Sequence, residues 1–220
     1  FAALRRWLAD EAGRWGARLQ LGWRALDCAP QGDGSLLTRL RDRRGVVHHC
    51  HSRWVIDASG QGRALLGEPP GDAQLVSGLG VEWLLRVDPE CWQAWRDRLS
   101  FCLGSDWVPQ GYGWIFPMQS GLLKVGVCRL TDPRRSQPPL APLLQRLIAR
   151  LLPPGSGEPA RVLDRHGGLI RSSIRRREPH RLGRLIGLGD AVSTANLLGG
   201  EGIRHALSSS QALEIGRAHV

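Results

Sequence analysis

Lysine is almost missing from this chain: of 30 basic residues only Lys124 is a lysine, and the rest are arginine. Tyrosine and methionine also occur once each, as Tyr112 and Met118. No stretch approaches the roughly 18 uninterrupted apolar residues of a membrane-spanning helix, and no basic-then-apolar signal pattern opens the chain. These absences point to a soluble, cytoplasmic protein. The five cysteines, Cys28, Cys50, Cys91, Cys102 and Cys128, form no CxxC pair. An odd number at irregular spacing argues against a disulfide framework and fits a reducing compartment.

What is present suffices for a core. At 220 residues and 42% hydrophobic content, the chain can build one sizeable domain or two small ones. The net charge of +10 invites a nucleic-acid reading, because clustered cations gain affinity by releasing counterions from phosphates. The near-exclusive use of arginine, with abundant Gly, Pro, Leu and Trp, fits a GC-rich genome instead, so no nucleic-acid partner is expected. A basic face could equally attract an anionic cofactor or a membrane surface, which leaves peripheral membrane association open.

Periodicity orders the chain. The opening "FAALRRWLADEAGRWG" sets Phe1, Leu4, Leu8, Ala12 and Trp15 on one helical stripe that ends at Gly16. "ARLQLGWRAL" alternates as a half-buried strand, and turn signals at "QGDGS" and "DRRG" separate "LLTRLRD" and "VVHHCHS" as further strands. "RWVIDASG" predicts a short return strand ending at Asp57. "VSGLGVEWLLRV" and "GYGWIFPMQSGLLKVGVCRL" predict a second, mainly antiparallel sheet, followed by a helix in "LLQRLIARLL". "LIRSSI" and "RLIGLGD" read as strands before a last helix that starts near Gly200. The expected class is an α/β layer with an inserted α+β region.

Two stretches carry the pattern of a ligand site. In "LIGLGDAV" an apolar strand delivers Asp190 at its carboxyl end, where ligands bind in open α/β sheets. A carboxylate there can accept hydrogen bonds from sugar or polyol hydroxyls. "GGEGIRHAL" then lets a ligand approach the backbone, and its helix start offers free N–H groups to an electron-rich group. "VIDASGQGRALL" repeats the geometry with Asp57 and Gly60, so two strand-end turns could flank one ligand. By contrast "HHCH" at 48–51 leaves only His49 and His51 sharing a strand face and reads as an ordinary strand rather than a zinc site. His205 reads as a packed or solvated histidine, the arginine cluster at 175–177 as a solvated face, and Cys128 as a small buried hydrophobe.

The pair "VIDASGQGRALL" and "LIGLGDAV…GGEGI", with a sheet inserted between, resembles the FAD-dependent oxidoreductases that include geranylgeranyl reductases, lycopene-cyclase-like proteins, aromatic hydroxylases and flavin halogenases. The resemblance covers most of the chain, from the opening helix to about Ala212. It implies FAD as cofactor, with NAD(P)H or another donor as reductant. The implied contacts are Gly189 and Asp190 to the ribitol and pyrophosphate region, and Gly200, Glu201, Gly202 and Ile203 to the isoalloxazine, with Asp57 and Gly60 in support. "GYGWIFP" is similar to the Tyr-x-Trp-x-Phe-Pro stretch of the geranylgeranyl-reductase-like branch, which makes Tyr112 and Trp114 candidate channel residues beside the flavin. That branch implies hydride transfer to a carbon–carbon double bond of an apolar or prenyl substrate. The alternatives are flavin-dependent hydroxylation of an aromatic substrate, or a non-enzymatic basic binding module.

The same family begins with a strand, a G-x-G-x-x-G turn and a helix that bind the ADP pyrophosphate, and this sequence shows no such motif. The expectation is an N-terminally truncated, Rossmann-like FAD/NAD(P)-binding domain lacking its first βαβ unit. Residues 1–70 form the remainder of that domain, 71–180 a substrate-binding antiparallel-sheet domain and 181–213 the C-terminal part of the FAD-binding domain. "EIGRAHV", at 214–220, reads as a non-native tail.

Overall fold

A helix and a three-stranded meander open the chain. Helix α1 (Ala2–Arg14) precedes strands β1 (Arg24–Pro30), β2 (Leu36–Arg41) and β3 (Val47–Ser52), paired antiparallel in the order β1-β2-β3. The structure is a computed structural model describing residues 2–69, 75–152, 159–173, 179–196 and 200–217. The apolar stripe of α1 is present but uncovered: Leu4, Leu8 and Trp15 are exposed. The strand expected over 17–26 starts later, at Arg24, because Leu21 and Gly22 form a turn. Leu19 and Leu21 stay exposed, so no packed face rewards the alternation that suggested a strand.

The largest layer is a five-stranded antiparallel sheet in the order β6-β7-β8-β5-β9. Its strands are β5 (Leu75–Arg86), β6 (Ser100–Leu103), β7 (Gly111–Pro117), β8 (Leu122–Leu130) and β9 (Arg161–Ser173). Helix α2 (Pro89–Trp95) and helix α3 (Leu140–Leu151) complete the region. One face of the sheet presents Leu85, Ile115, Leu123, Val125 and Val127, and α3 covers it with Leu140, Leu143, Leu144 and Leu147. The 3–1–3 spacing of those leucines is one helical stripe, and each buried leucine contributes roughly 1.5–3 kcal/mol. α2 and β6 were not anticipated. "DPEC" carried the signal: Asp88 caps α2 by accepting the Cys91 N–H at 2.8 Å, and Pro89 fills its first turn.

The opposite face is aromatic. Tyr112, Trp114 and Phe116 alternate along β7, and Phe101 of β6 meets both Tyr112 and Phe116. Gly126 of β8 has no side chain, and the Trp114 ring occupies the space: a Cβ there would lie 2.1 Å from the indole. The indole therefore lies across β8 and donates its N–H to Glu82 of β5 at 3.1 Å. Lys124 donates to the other Glu82 oxygen, so the chain's one lysine serves a cross-strand pair.

A third sheet joins two stretches far apart in the chain. Strands β10 (Arg181–Leu182) and β11 (Leu185–Gly187) form a hairpin, and β11 pairs parallel with β4 (Val55–Asp57). The register sets Gly187 opposite Asp57, which brings the two strand-end turns side by side. Helix α4 (Ile203–Arg217) follows and continues through residues 214–217. The observed class is α/β with an inserted antiparallel sheet, as expected. Among the described residues no helix is long and apolar enough to cross a membrane.

Candidate functional site

Asp57 is buried, and its own loop uses it. One carboxylate oxygen accepts the Ser59 N–H at 3.0 Å and the Ser59 hydroxyl at 2.6 Å, and the other accepts the N–H groups of Leu65 and Leu66 at 2.9 Å each. Burial alone would push the carboxyl up, but these donors outweigh it and hold the group below the ordinary aspartate value. Asp57 shapes the loop carrying Ala58 and Gly60 without offering its charge to a ligand. Arg63 binds that loop to the second turn: its guanidinium donates to the carbonyls of Gly67 and Ala191.

Asp190 has the opposite character. It lies in the 3-10 turn Gly189–Val192 after β11, half-buried, and its Oδ1 has no hydrogen-bond partner among the described residues. Burial raises its carboxyl above the ordinary value. A buried acceptor left unpaired is costly, so this oxygen is open to a further donor. Gly189 has φ of 57°, which favours glycine, and a Cβ there would come within 3.1 Å of Ala206 in α4. The residue thus permits both the turn and its close approach to the helix.

A cleft of about 550 Å³ opens between these elements. Ala58, Gly60, Gly189, Asp190, Gly202 and Ile203 contribute to its wall, so six residues from two ends of the chain converge there. A second cavity of about 470 Å³ lies over the aromatic face and is lined by Tyr112, Gly80, Cys128 and Arg129 among others. The two share Ile170 and Gly200, and Gly200 approaches the Tyr112 hydroxyl so closely that a Cβ would lie 3.1 Å from it. Burial, with Cys128 adjacent, pushes the Tyr112 phenol well above its ordinary range.

The other sequence candidates fall as follows. Trp114 shares the sheet face with Tyr112, but its N–H is committed to Glu82. Glu201 is exposed and paired with Arg204, while its carbonyl accepts the Asn196 N–H at 3.1 Å. His205 lies 3.8 Å from the Glu201 carboxylate. His48 pairs with Asp42 at 3.0 Å and stacks on Trp23, and no cluster of metal-ligating side chains occurs among the described residues. Cys128 is half-buried rather than fully buried. The arginines at 175–177 lie outside the described residues. Sequence reasoning missed Arg63, whose only signal was its place inside "GQGRALL".

No protein-family model matches the sequence, and no curated protein matches it. Solved structures do match in fold. A geranylgeranyl bacteriochlorophyll reductase-like protein from Thermoplasma acidophilum superposes with a TM-score of 0.71 at 22% identity, over 97% of this chain and 54% of its own. A flavoprotein/dehydrogenase from Cytophaga hutchinsonii gives 0.65 at 19% identity, over 91% and 49% of the two chains. Aklavinone-11 hydroxylase, in a ternary complex with FAD and aklavinone, gives 0.68 at 19% identity, over 94% and 38%. The chain shares part of the fold of these three proteins and spans about half the length of the first two.

Proposed function

We propose that this chain forms the ribityl and ring end of an FAD site, with its substrate-facing sheet, in an oxidoreductase that reduces a carbon–carbon double bond of an apolar or prenyl substrate. NAD(P)H or another donor would supply the electrons. The observation that carries the reading is Asp190, whose buried oxygen lacks a partner among the described residues in a glycine-walled cleft that meets an apolar cavity at Gly200. The residues fit the group. Ribityl hydroxyls offer the donors that Asp190 lacks, the wall at Gly60 leaves open the space a side chain would fill, and the start of α4 presents backbone N–H groups to an electron-rich ring edge.

When bound, reduced flavin supplies a hydride, and the protein contributes binding, orientation and electrostatics. Asp190 fixes the position of the polyol by accepting its hydroxyls. The N-terminus of α4 favours negative charge at the cleft. Tyr112 keeps its proton at Oη, because burial disfavours the phenolate, so at neutral pH it acts as a donor toward a substrate in the adjoining cavity. The apolar wall around it excludes water from the reacting bond.

The test is titration of the full chain with FAD and with riboflavin, followed by flavin fluorescence. The residues named hold the ring and ribityl chain that both ligands share, so both bind, and Asp190→Asn weakens both by roughly tenfold. No binding of either ligand by folded protein sinks the reading. With reduced flavin and a prenyl substrate, a mass gain of two hydrogens supports reduction, whereas peroxide or a hydroxylated product assigns monooxygenation instead.

A further inference from the structure

Two strand glycines near Tyr112 serve neither the backbone nor the core. The register fixes one face of the large sheet row by row: Tyr112 lies across from Cys128, Cys128 from Gly80, and Gly80 from Gly168. The next row on that face runs Trp114, Gly126, Glu82 and His166, and there the indole fills the gap above Gly126. Nothing fills the gap above Gly80 or Gly168. A Cβ at Gly168 would meet nothing within 4 Å, and one at Gly80 only ordinary contacts, with Cys128 Cβ at 3.5 Å and the Val127 carbonyl at 3.7 Å. Neither glycine has a positive φ, and the register shift between β5 and β9 lies elsewhere, at Leu84 and Leu85. Glycine inside a strand weakens it, and where no turn, bulge or packed neighbour accounts for it, the residue marks a close approach by a ligand.

We propose that Gly80, with Gly168 beside it, determines the specificity of the cavity at Tyr112, and that the bare floor takes a flat fused-ring molecule lying face down on the backbone of β5 and β9. Gly80 lines that cavity of about 470 Å³ together with Tyr112, Cys128 and Ile170, a volume within the range of small-molecule pockets. A flat ring touches such a floor over its whole face. A puckered or branched molecule holds most of its atoms off the floor, and a gap of about 0.5–1 Å already forfeits a quarter to a half of each contact. The cavity meets the Asp190 cleft at Ile170 and Gly200, so the floor leads toward the proposed flavin ring. That the flat molecule is the substrate of the reduction rests on the flavin reading, whereas its binding to the floor does not.

The experiment measures 2-naphthol and decahydro-2-naphthol, one skeleton in flat and puckered form, by equilibrium dialysis against the full chain without flavin. 2-Naphthol binds about twofold to tenfold more tightly, the scale of a well-placed aromatic contact. Gly80→Val raises a side chain from the floor and brings 2-naphthol down to the decahydro-2-naphthol value. Its melting temperature is no lower than the parent's, because the strand gains a β-branched residue and loses a glycine. Gly168→Val, at a position with no neighbour within 4 Å, weakens 2-naphthol in the same direction. Gly167→Val is the control: Gly167 lies across from Val81 on the opposite face, a Cβ there meets only ordinary contacts at 3.5 and 3.7 Å, and 2-naphthol binding stays unchanged. Equal binding of the two probes overturns the proposal, as does undiminished 2-naphthol binding in the folded floor variants, an equal loss in Gly167→Val, or a melting temperature below the parent's in both floor variants. If flavin titration fails while the flat probe is still preferred and lost in Gly80→Val, the flavin reading falls and the floor stands; the reverse pattern sinks the floor alone.

Discussion

Replacing Asp57 by asparagine changes one oxygen to an amide nitrogen at the centre of the first turn. The loss is calculable because all the carboxylate's partners are known. Asparagine can still accept from Ser59 with its carbonyl, but its NH2 then faces the N–H groups of Leu65 and Leu66, both now bound to one carboxylate oxygen. Two inward-facing donors lose their acceptor, at about 1–3 kcal/mol each, so Asp57→Asn destabilises by roughly 2–6 kcal/mol near neutral pH, a large share of a typical domain's 5–15 kcal/mol. The pH dependence follows from the lowered carboxyl. A group whose folded value lies below its unfolded value, about 3.9 for aspartate, stabilises the fold above that pH and loses the contribution as pH falls through the folded value. The gap between parent and Asp57→Asn is therefore full at pH 7 and narrows below about pH 3.9, so that it is smaller at pH 3. Urea unfolding followed by circular dichroism at both pH values measures it. A penalty under about 0.5 kcal/mol at pH 7, or one unchanged at low pH, refutes the argument that the Asp57 charge organises the turn.

Asp190 behaves inversely. Its carboxyl is raised by burial, so its contribution is most favourable below about pH 3.9 and declines as pH rises through the folded value. Asp190→Asn raises the melting temperature at pH 7 but not at pH 3, and a lower melting temperature at pH 7 would mean that the carboxylate has a stabilising partner. Gly126→Ala puts a methyl group into the Trp114 indole; it costs about 1–3 kcal/mol of overpacking and shifts the tryptophan emission as the Glu82 bond breaks, and unchanged emission would contradict the flat indole. Leu144→Ala removes a fully buried side chain from α3 and costs about 2–5 kcal/mol by thermal unfolding, whereas a loss under 1 kcal/mol would place α3 outside the core.

The sequence exposed most of the elements and both cleft turns, because local chemistry determines them. Apolar strands ending in Asp and Gly, and an alternating "GYGWIF", announce themselves within ten residues. What stayed hidden depends on partners far along the chain. The alternation at 17–26 looked like a strand, but no apolar face exists there to reward it. Tyr112 and Trp114 looked equivalent, yet a missing side chain at Gly126 on the next strand decides that one indole lies down while the phenol faces a cavity. Asp57 and Asp190 shared a motif shape, and only the count of N–H groups around each separates a carboxylate used by its own loop from one left open. Arg63 was one arginine among many until burial singled it out.

The bond from Arg63 to Ala191 spans 128 positions, and the parallel pairing of β4 with β11 spans a similar stretch. Closing so long a loop of flexible chain costs about 4 kcal/mol before any contact rewards it. The hairpins of the inserted sheet close short loops, and once they have formed the effective distance between the two turns collapses. Bringing Asp57 and Asp190 onto neighbouring turns therefore costs least once the sheet between β4 and β11 has formed. A misregistered sheet would hold the two halves of the cleft apart, so the register of strands far from either turn sets the geometry of both.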